Sequence, residues 1–205
     1  EDEAKVISRY ADAIMVRPLK NVTVMEMART SRVPVINGLC EKYHPCQALA
    51  DLMTIKEKFG YTKGIKLVYL GIANNVSNSL SVAAVKTGVN FILCTPERDP
   101  DSFDQGQLEW LRAQQNYHED SRLEKAVKGA DVLYTDPWVN MEFLNDPKFA
   151  AEKERRERAF KPYQLNKKVM DSAGRAYSMH DMPAHIGYEI DEYALRGPRS
   201  LAFDQ

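Results

Sequence analysis

The chain has 205 residues, enough for one large domain or two unequal ones, and 44% of it is apolar, enough for a packed core. Its 28 Lys and Arg against 29 Asp and Glu leave a net charge of −1, which argues against a general nucleic-acid binder with its basic excess. Three cysteines (Cys40, Cys46 and Cys94) make neither a CxxC pair nor an even disulfide set, and no apolar run approaches the length of a membrane span. A reducing cytoplasm is the expected setting, with no membrane or nucleic-acid partner.

The first residues, EDEAK, are acidic and unlike a signal peptide, and they lead straight into a charged helix. DAIMVR (12–17) reads as a buried strand, VTVMEMART (22–30) as a short helix and VPVING (33–38) as a second strand. A helix is predicted from Pro45 to Phe59, stopped by Gly60, with Leu49, Leu52, Met53, Ile55 and Phe59 mostly on one face. IKLVYLG (65–71) is continuous and hydrophobic, as a central parallel strand should be. A helix over Asn75 to Thr87, the strand NFILCTP (90–96) and two helical stretches lead to a further strand, ADVLYTD (130–136). Then come a charged helix (DPKFAAEKERRERAF), a shorter one from Asn166, the strand AYSMHDMP (176–183), a helix near DEYALRG and a closing strand-like SLAFD. The run EKERRER (152–158) carries both signs and reads as a solvated helix face. Strands alternating with helices mean an α/β fold with a parallel sheet covered on both faces. YTKG (61–64) is the expected boundary between a short first piece and a fuller unit.

Polar residues collect at one place in this scheme. Arg17 ends the first strand, His44 and Gln47 follow the second, GIANN (71–75) ends the third, and DPWVNM (136–141) and HDMP (180–183) end later ones. In open α/β sheets, ligands bind beyond the carboxyl ends of the strands. His44 on its own reads as a helix-start residue beside Pro45, which suits the first helical position. Together with Gln47, three residues on, it makes a donor set beside free helix N–H groups, suited to a ligand with developing negative charge. GIANN reads as a helix cap through Asn74 or Asn75, or as a degenerate dinucleotide loop. It lacks GxGxxG, which weighs against a nicotinamide site. Asp136–Pro137 is a plausible turn, and Asp181 a plausible turn cap.

VPVINGLCEKYHPCQALADLMTIKEKFG, GIANNVSNSL, GADVLYTDPWVNM, KPYQLN, HDMPAHIGYEI and PRSLAFDQ fall, in this order, as in the aspartate/ornithine carbamoyltransferase superfamily. The resemblance is to its ornithine-like side and spans the whole chain. It implies a three-layer, Rossmann-like domain over 63–205 that binds an amino acid or related amine. Residues 1–62 would be the C-terminal part of a second, similar domain that binds carbamoyl phosphate. The implied activity is transfer of the carbamoyl group to an amine, releasing phosphate, with no metal or organic cofactor. Arg17 and His44 would be catalytic, and with Gln47 and Met182 they would hold carbamoyl phosphate. Asn75, Asp136, Asn140, Met141 and Asp181 would face the acceptor. The resemblance also implies a cis Met182–Pro183 bond and a homotrimer or higher homo-oligomer.

Three departures from the pattern matter. No Ser-Thr-Arg-Thr phosphate loop occurs in the chain, nor the arginine that follows the family's terminal strand. The chain is therefore expected to be a piece of a longer protein, with little activity alone. HDMP stands where the family has HCLP, and Asn140-Met141 where it has Ser-Met, which leaves the acceptor open among ornithine, acylated ornithine, putrescine and other amines. The competing reading is a catalytically inactive relative acting as a binding or scaffold protein. A nucleotide-dependent oxidoreductase is the third, to be tested by cofactor titration.

Overall fold

The apolar runs become strands that pair only in parallel among the residues described by the computed structural model, 1–139 and 147–205. After helix α1 (Asp2–Ile7), strand β1 (Ile14–Val16) pairs with β2 (Val35–Asn37), and α2 (Asn21–Thr30) links them. A second sheet contains β3 (Lys66–Leu70), β4 (Asn90–Cys94), β5 (Tyr117–Glu119), β6 (Val132–Thr135) and β7 (Tyr177–His180), in the order β5-β4-β3-β6-β7. The chain enters this sheet at its centre, moves outward to β5, and returns to β6 on the other side of β3. The direction of winding thus switches between β3 and β6, where an open α/β sheet leaves a crevice at its carboxyl edge.

Alternation along β3 explains why both faces need cover. Leu67 and Tyr69 point to one face, Val68 and Leu70 to the other, and all four are buried. Helices α3 (Pro45–Phe59) and α4 (Asn75–Lys86) cover the first face, through Ala48, Leu52, Ile55, Leu80 and Ala84. Helices α6 (Leu123–Val127), α8 (Lys167–Ala173) and α9 (Glu192–Arg196), numbered after α5 (Gln105–Arg112) and α7 (Ala150–Phe160), cover the second face. Helix α3 begins beside the small sheet yet buries its inner side on the large one, and Gly60, at φ 80°, ends it in the left-handed region. It therefore carries whatever lies at its N-terminus to the edge of the second sheet.

Four expectations are corrected. The first strand is not buried, since Met15 of β1 is exposed and only Ile14 is buried, and on α3 Leu49 and Met53 face out rather than in with Leu52 and Ile55. The stretch between β4 and β6 holds α5 and α6, but β5 lies between them and pairs with β4. Only Tyr117 of its three residues is buried, stacked on Phe91, so no alternation was there to be read. The segment SLAFD is not a strand. It makes one bridge, Ser178 to Ser200, and then turns, with Leu201 and Ala202 buried.

Candidate active site

The residues singled out at strand ends meet in space. Arg17 leaves β1 exposed, and His44 is the N-cap residue of α3, its backbone N–H donating to Ser79 Oγ at 2.8 Å. Asp136 follows β6 and Asp181 follows β7. His44 Nε2 lies 3.9 Å from Asp181 Oδ2, across the gap between the two sheets. Met182 is exposed beside it, and the Met182–Pro183 bond is cis, as the resemblance implies. Asn140 and Met141 lie outside the described residues.

Burial and charge set the protonation of these groups. His44 is pushed down to about 4, first by desolvation and then by the Arg17 guanidinium, so near neutral pH it is an uncharged donor or acceptor. Its Nδ1 is buried without a partner among the described residues. Asp181 is raised to about 6 by burial, against the pull of His180 and Arg17. Asp136 is raised well above the carboxylate range by burial, and then by Asp181.

Local structure explains the position of Asp136. Gly71 ends β3 at φ 112°, and a Cβ there would come within 3.0 Å of Trp138 Nε1. Glycine allows both the backbone turn and the close passage of the indole. Trp138 is buried against Phe160, and Arg156 Nη1 donates to its carbonyl at 2.9 Å, which fixes the chain just after Asp136. Asn74 caps α4: its Oδ1 accepts from Val76 N, Ser77 N and the Tyr69 hydroxyl, and its Nδ2 donates to Asp136 Oδ2.

Comparisons with known proteins show the family. Residues 63–205 match the model of the aspartate/ornithine carbamoyltransferase Asp/Orn binding domain, and residues 1–57 that of the carbamoyl-P binding domain. The chain belongs to the aspartate/ornithine carbamoyltransferase family. The ornithine carbamoyltransferase of Thermotoga petrophila is 43% identical over 213 aligned residues, covering all of this chain and 66% of that protein. The anabolic ornithine carbamoyltransferase of Pyrococcus furiosus is also 43% identical, over all of this chain and 64% of its own length. Among solved structures, ornithine carbamoyltransferase from Pyrococcus furiosus superposes with a TM-score of 0.88 at 40% identity, over 99% of this chain and 64% of that one. An N-acetyl-L-ornithine transcarbamylase also superposes, at 0.80 and 25% identity, over 99% of this chain and 67% of that one. The chain thus spans about two thirds of the length of these carbamoyltransferases.

Two of the expected site residues are engaged differently from a simple reading of the family motifs. Gln47 was expected as a donor, and its Nε2 donates to Asp51 Oδ1 at 2.9 Å, which leaves one N–H and the carbonyl Oε1 for a ligand. Asn75 Nδ2 donates to the Cys40 carbonyl at 2.9 Å, and it is Asn74 that touches Asp136. Missed altogether were Asp51 and Glu189, whose Oε1 lies 3.0 Å from Nε2 of the equally buried His180. Asp51 had a visible signal, since it stands four residues after Gln47 on the same helix face. Among the described residues no group of three or more His, Cys, Asp or Glu is placed to hold a metal, and no helix is long and apolar enough to cross a membrane.

Proposed function

We propose that this chain carries the acceptor-binding unit and part of the carbamoyl phosphate-binding unit of a carbamoyltransferase, divided near residue 62. The single observation that carries the reading is the meeting of His44 and Asp181 at 3.9 Å across the crevice, beside Arg17. The amine nitrogen attacks the carbamoyl carbon, a C–N bond forms, and the C–O bond to phosphate breaks with its electron pair leaving on phosphate. Between these events the carbonyl oxygen carries negative charge. Arg17 supplies a full positive charge toward it and His44 one neutral N–H, the kind of preorganised donor that lowers such a barrier. Gln47 Oε1 accepts from the carbamoyl amide, which has two N–H groups to give.

The acceptor amine reaches the crevice as an ammonium ion and must lose a proton before it attacks. Asp181, at about 6, is charged near neutrality, suits that cation and can take its proton, while Asp136, kept protonated by burial, offers the amine a hydrogen-bonding group rather than a charge. The acceptor is an amine of the ornithine type. A homotrimeric, cytoplasmic enzyme is the working expectation that follows from the family.

The test is phosphate release from carbamoyl phosphate with a panel of amines: ornithine, its acylated forms, putrescine and longer diamines. It uses the longest reading frame that encodes these residues. Release with at least one amine, lost in Asp136→Asn, is the expected result. No release with any amine, together with tight amine binding, would replace this reading with a binding role.

A further inference from the structure

Asp51 is fully buried one turn along α3 from Gln47, and the chemistry above gives it no part. Its Oδ1 accepts two side-chain amides, Gln47 Nε2 at 2.9 Å and Gln205 Nε2 at 3.0 Å. Gln205 in turn spans the His180 peptide: its Oε1 accepts from His180 N at 3.1 Å and its Nε2 donates to His180 O at 2.7 Å. Strand β7 lies at the edge of its sheet, so the Gln205 amide supplies the donor and acceptor that a neighbouring strand would offer. The next residues are Asp181 and Met182. One carboxyl oxygen therefore ties the helix that carries His44 and Gln47 to the strand end that carries Asp181.

We propose that Asp51 is a positioning residue that holds the two crevice walls in register, fixing the orientation of the Gln47 amide and keeping Gln205 locked on the edge of β7. The proposal rests on the carbamoyl-transfer reading for what Gln47 then binds, though not for the link itself. A buried carboxyl is costly to keep, and its Oδ2 has no partner among the described residues. An apolar residue there would take the shared acceptor from both amides, so the acid is tied to the bonds it receives. Burial pushes the Asp51 carboxyl up to about 8, and the protonated group still offers Oδ1 to both amides. A free Gln47 has three rotatable bonds and two equivalent ways to turn its amide, and the bond to Asp51 selects one of them.

Asp51→Leu, Asp51→Asn, Gln47→Ala and the double variant Asp51→Leu with Gln47→Ala test this in the longest reading frame. Losing the shared acceptor should raise the KM for carbamoyl phosphate about tenfold, with kcat moved less than about threefold. Asp51→Asn keeps an acceptor oxygen and should restore KM. In the double variant KM should match Gln47→Ala alone, because residues acting through one another do not add. Independent, multiplying effects, or a kcat loss at constant KM, would overturn the proposal. Hydrogen exchange of the His180 amide gives a reading that needs no turnover. It should speed up about tenfold in Asp51→Leu and stay slow in Asp51→Asn. Unchanged exchange in Asp51→Leu overturns the link even in an active enzyme. Faster exchange in a protein that never turns over carbamoyl phosphate upholds the link and sinks the carbamoyl-transfer reading instead. If Asp51→Leu does not fold, Asp51→Ser is too short to reach Gln205 and should give the same two readings.

Discussion

Arg17 shows how much one side chain can carry. It is exposed, so its loss opens no cavity, yet its charge acts on both His44 and Asp181. Arg17→Ala should lower turnover by about 10²–10³, the usual cost of one oxyanion donor, while the unfolding midpoint stays put. Steady-state kinetics beside a thermal melt check this, and near-normal turnover would make Arg17 structural. Asp51 makes a second prediction, on pH. It faces the Gln47 and Gln205 amides, the Tyr134 phenol and the Asp181 carboxyl, and it is raised from 3.8 to about 8. Between those values the folded chain keeps a proton that the unfolded chain has lost, so stability falls as pH rises, by at most about 1.4 kcal/mol per unit. Asp181 adds the same sign between 3.8 and about 6. His44, lowered from 6.5 to about 4, has the opposite sign: its share of stability is lost as pH falls through that range. Asp51→Asn should therefore gain on the unmodified chain progressively from pH 5 to pH 8. A gap in unfolding midpoint that stays constant over that range would show that Asp51 titrates alike in both states. At this scale the sequence was legible where a polar residue ends a strand, as with Arg17, Asp136 and Asp181. It was silent between Asn74 and Asn75, because only the turn geometry decides which amide caps α4 and which turns away to Cys40.

Strands were legible where the chain is a continuous apolar run, including β1 and β2, which are only partly buried. Strands β3, β4 and β6 are continuous apolar runs because both faces of the sheet are covered, and such runs stand out in one dimension. Strand β5 is at an edge with one buried residue, and the closing segment packs by Leu201 and Ala202 without a ladder, so neither left a pattern of the right period. Helix α4 is where an element and the site depend on the same residue. Asn74→Ala would remove an N-cap, worth about 1 kcal/mol, and leave the buried Tyr69 hydroxyl and Asp136 each short of a partner. We expect a loss of about 2–4 kcal/mol in a denaturant titration, with turnover impaired as Asp136 shifts. Asn74→Ser keeps the cap but not the reach to Asp136, so it should recover part of the stability and little of the activity. Full recovery of both would mean that Asp136 is held by the backbone after β6 alone.

Across the whole molecule, the crevice joins two sheets and is short of positive charge. Carbamoyl phosphate is a small dianion, so its affinity comes from charge-assisted donors held in place, each roughly twice as strong as a neutral one. Arg17 is such a donor, but His44 is uncharged at neutral pH, and Asp136 and Asp181 face the same space. The Ser-Thr-Arg-Thr loop that the resemblance implies for the phosphate does not occur in these 205 residues, which correspond to 64–66% of the length of ornithine carbamoyltransferases from Thermotoga petrophila and Pyrococcus furiosus. One guanidinium beside the Asp181 carboxylate, with Asp136 neutral, is a weak clamp for a dianion. The 205-residue chain should bind carbamoyl phosphate no better than about 1 mM, some 4 kcal/mol, and show no measurable transfer. The acceptor side is better provided, because β3, β6 and the cap of α4 that support Asp136 all lie within the chain. Amine binding should therefore survive where carbamoyl phosphate binding fails. Calorimetric titration of each ligand separates the two, and a matched assay compares this chain with the longest reading frame that contains it. Equal turnover from both would show that Arg17, His44 and Gln47 make a sufficient clamp, and that the loop is dispensable.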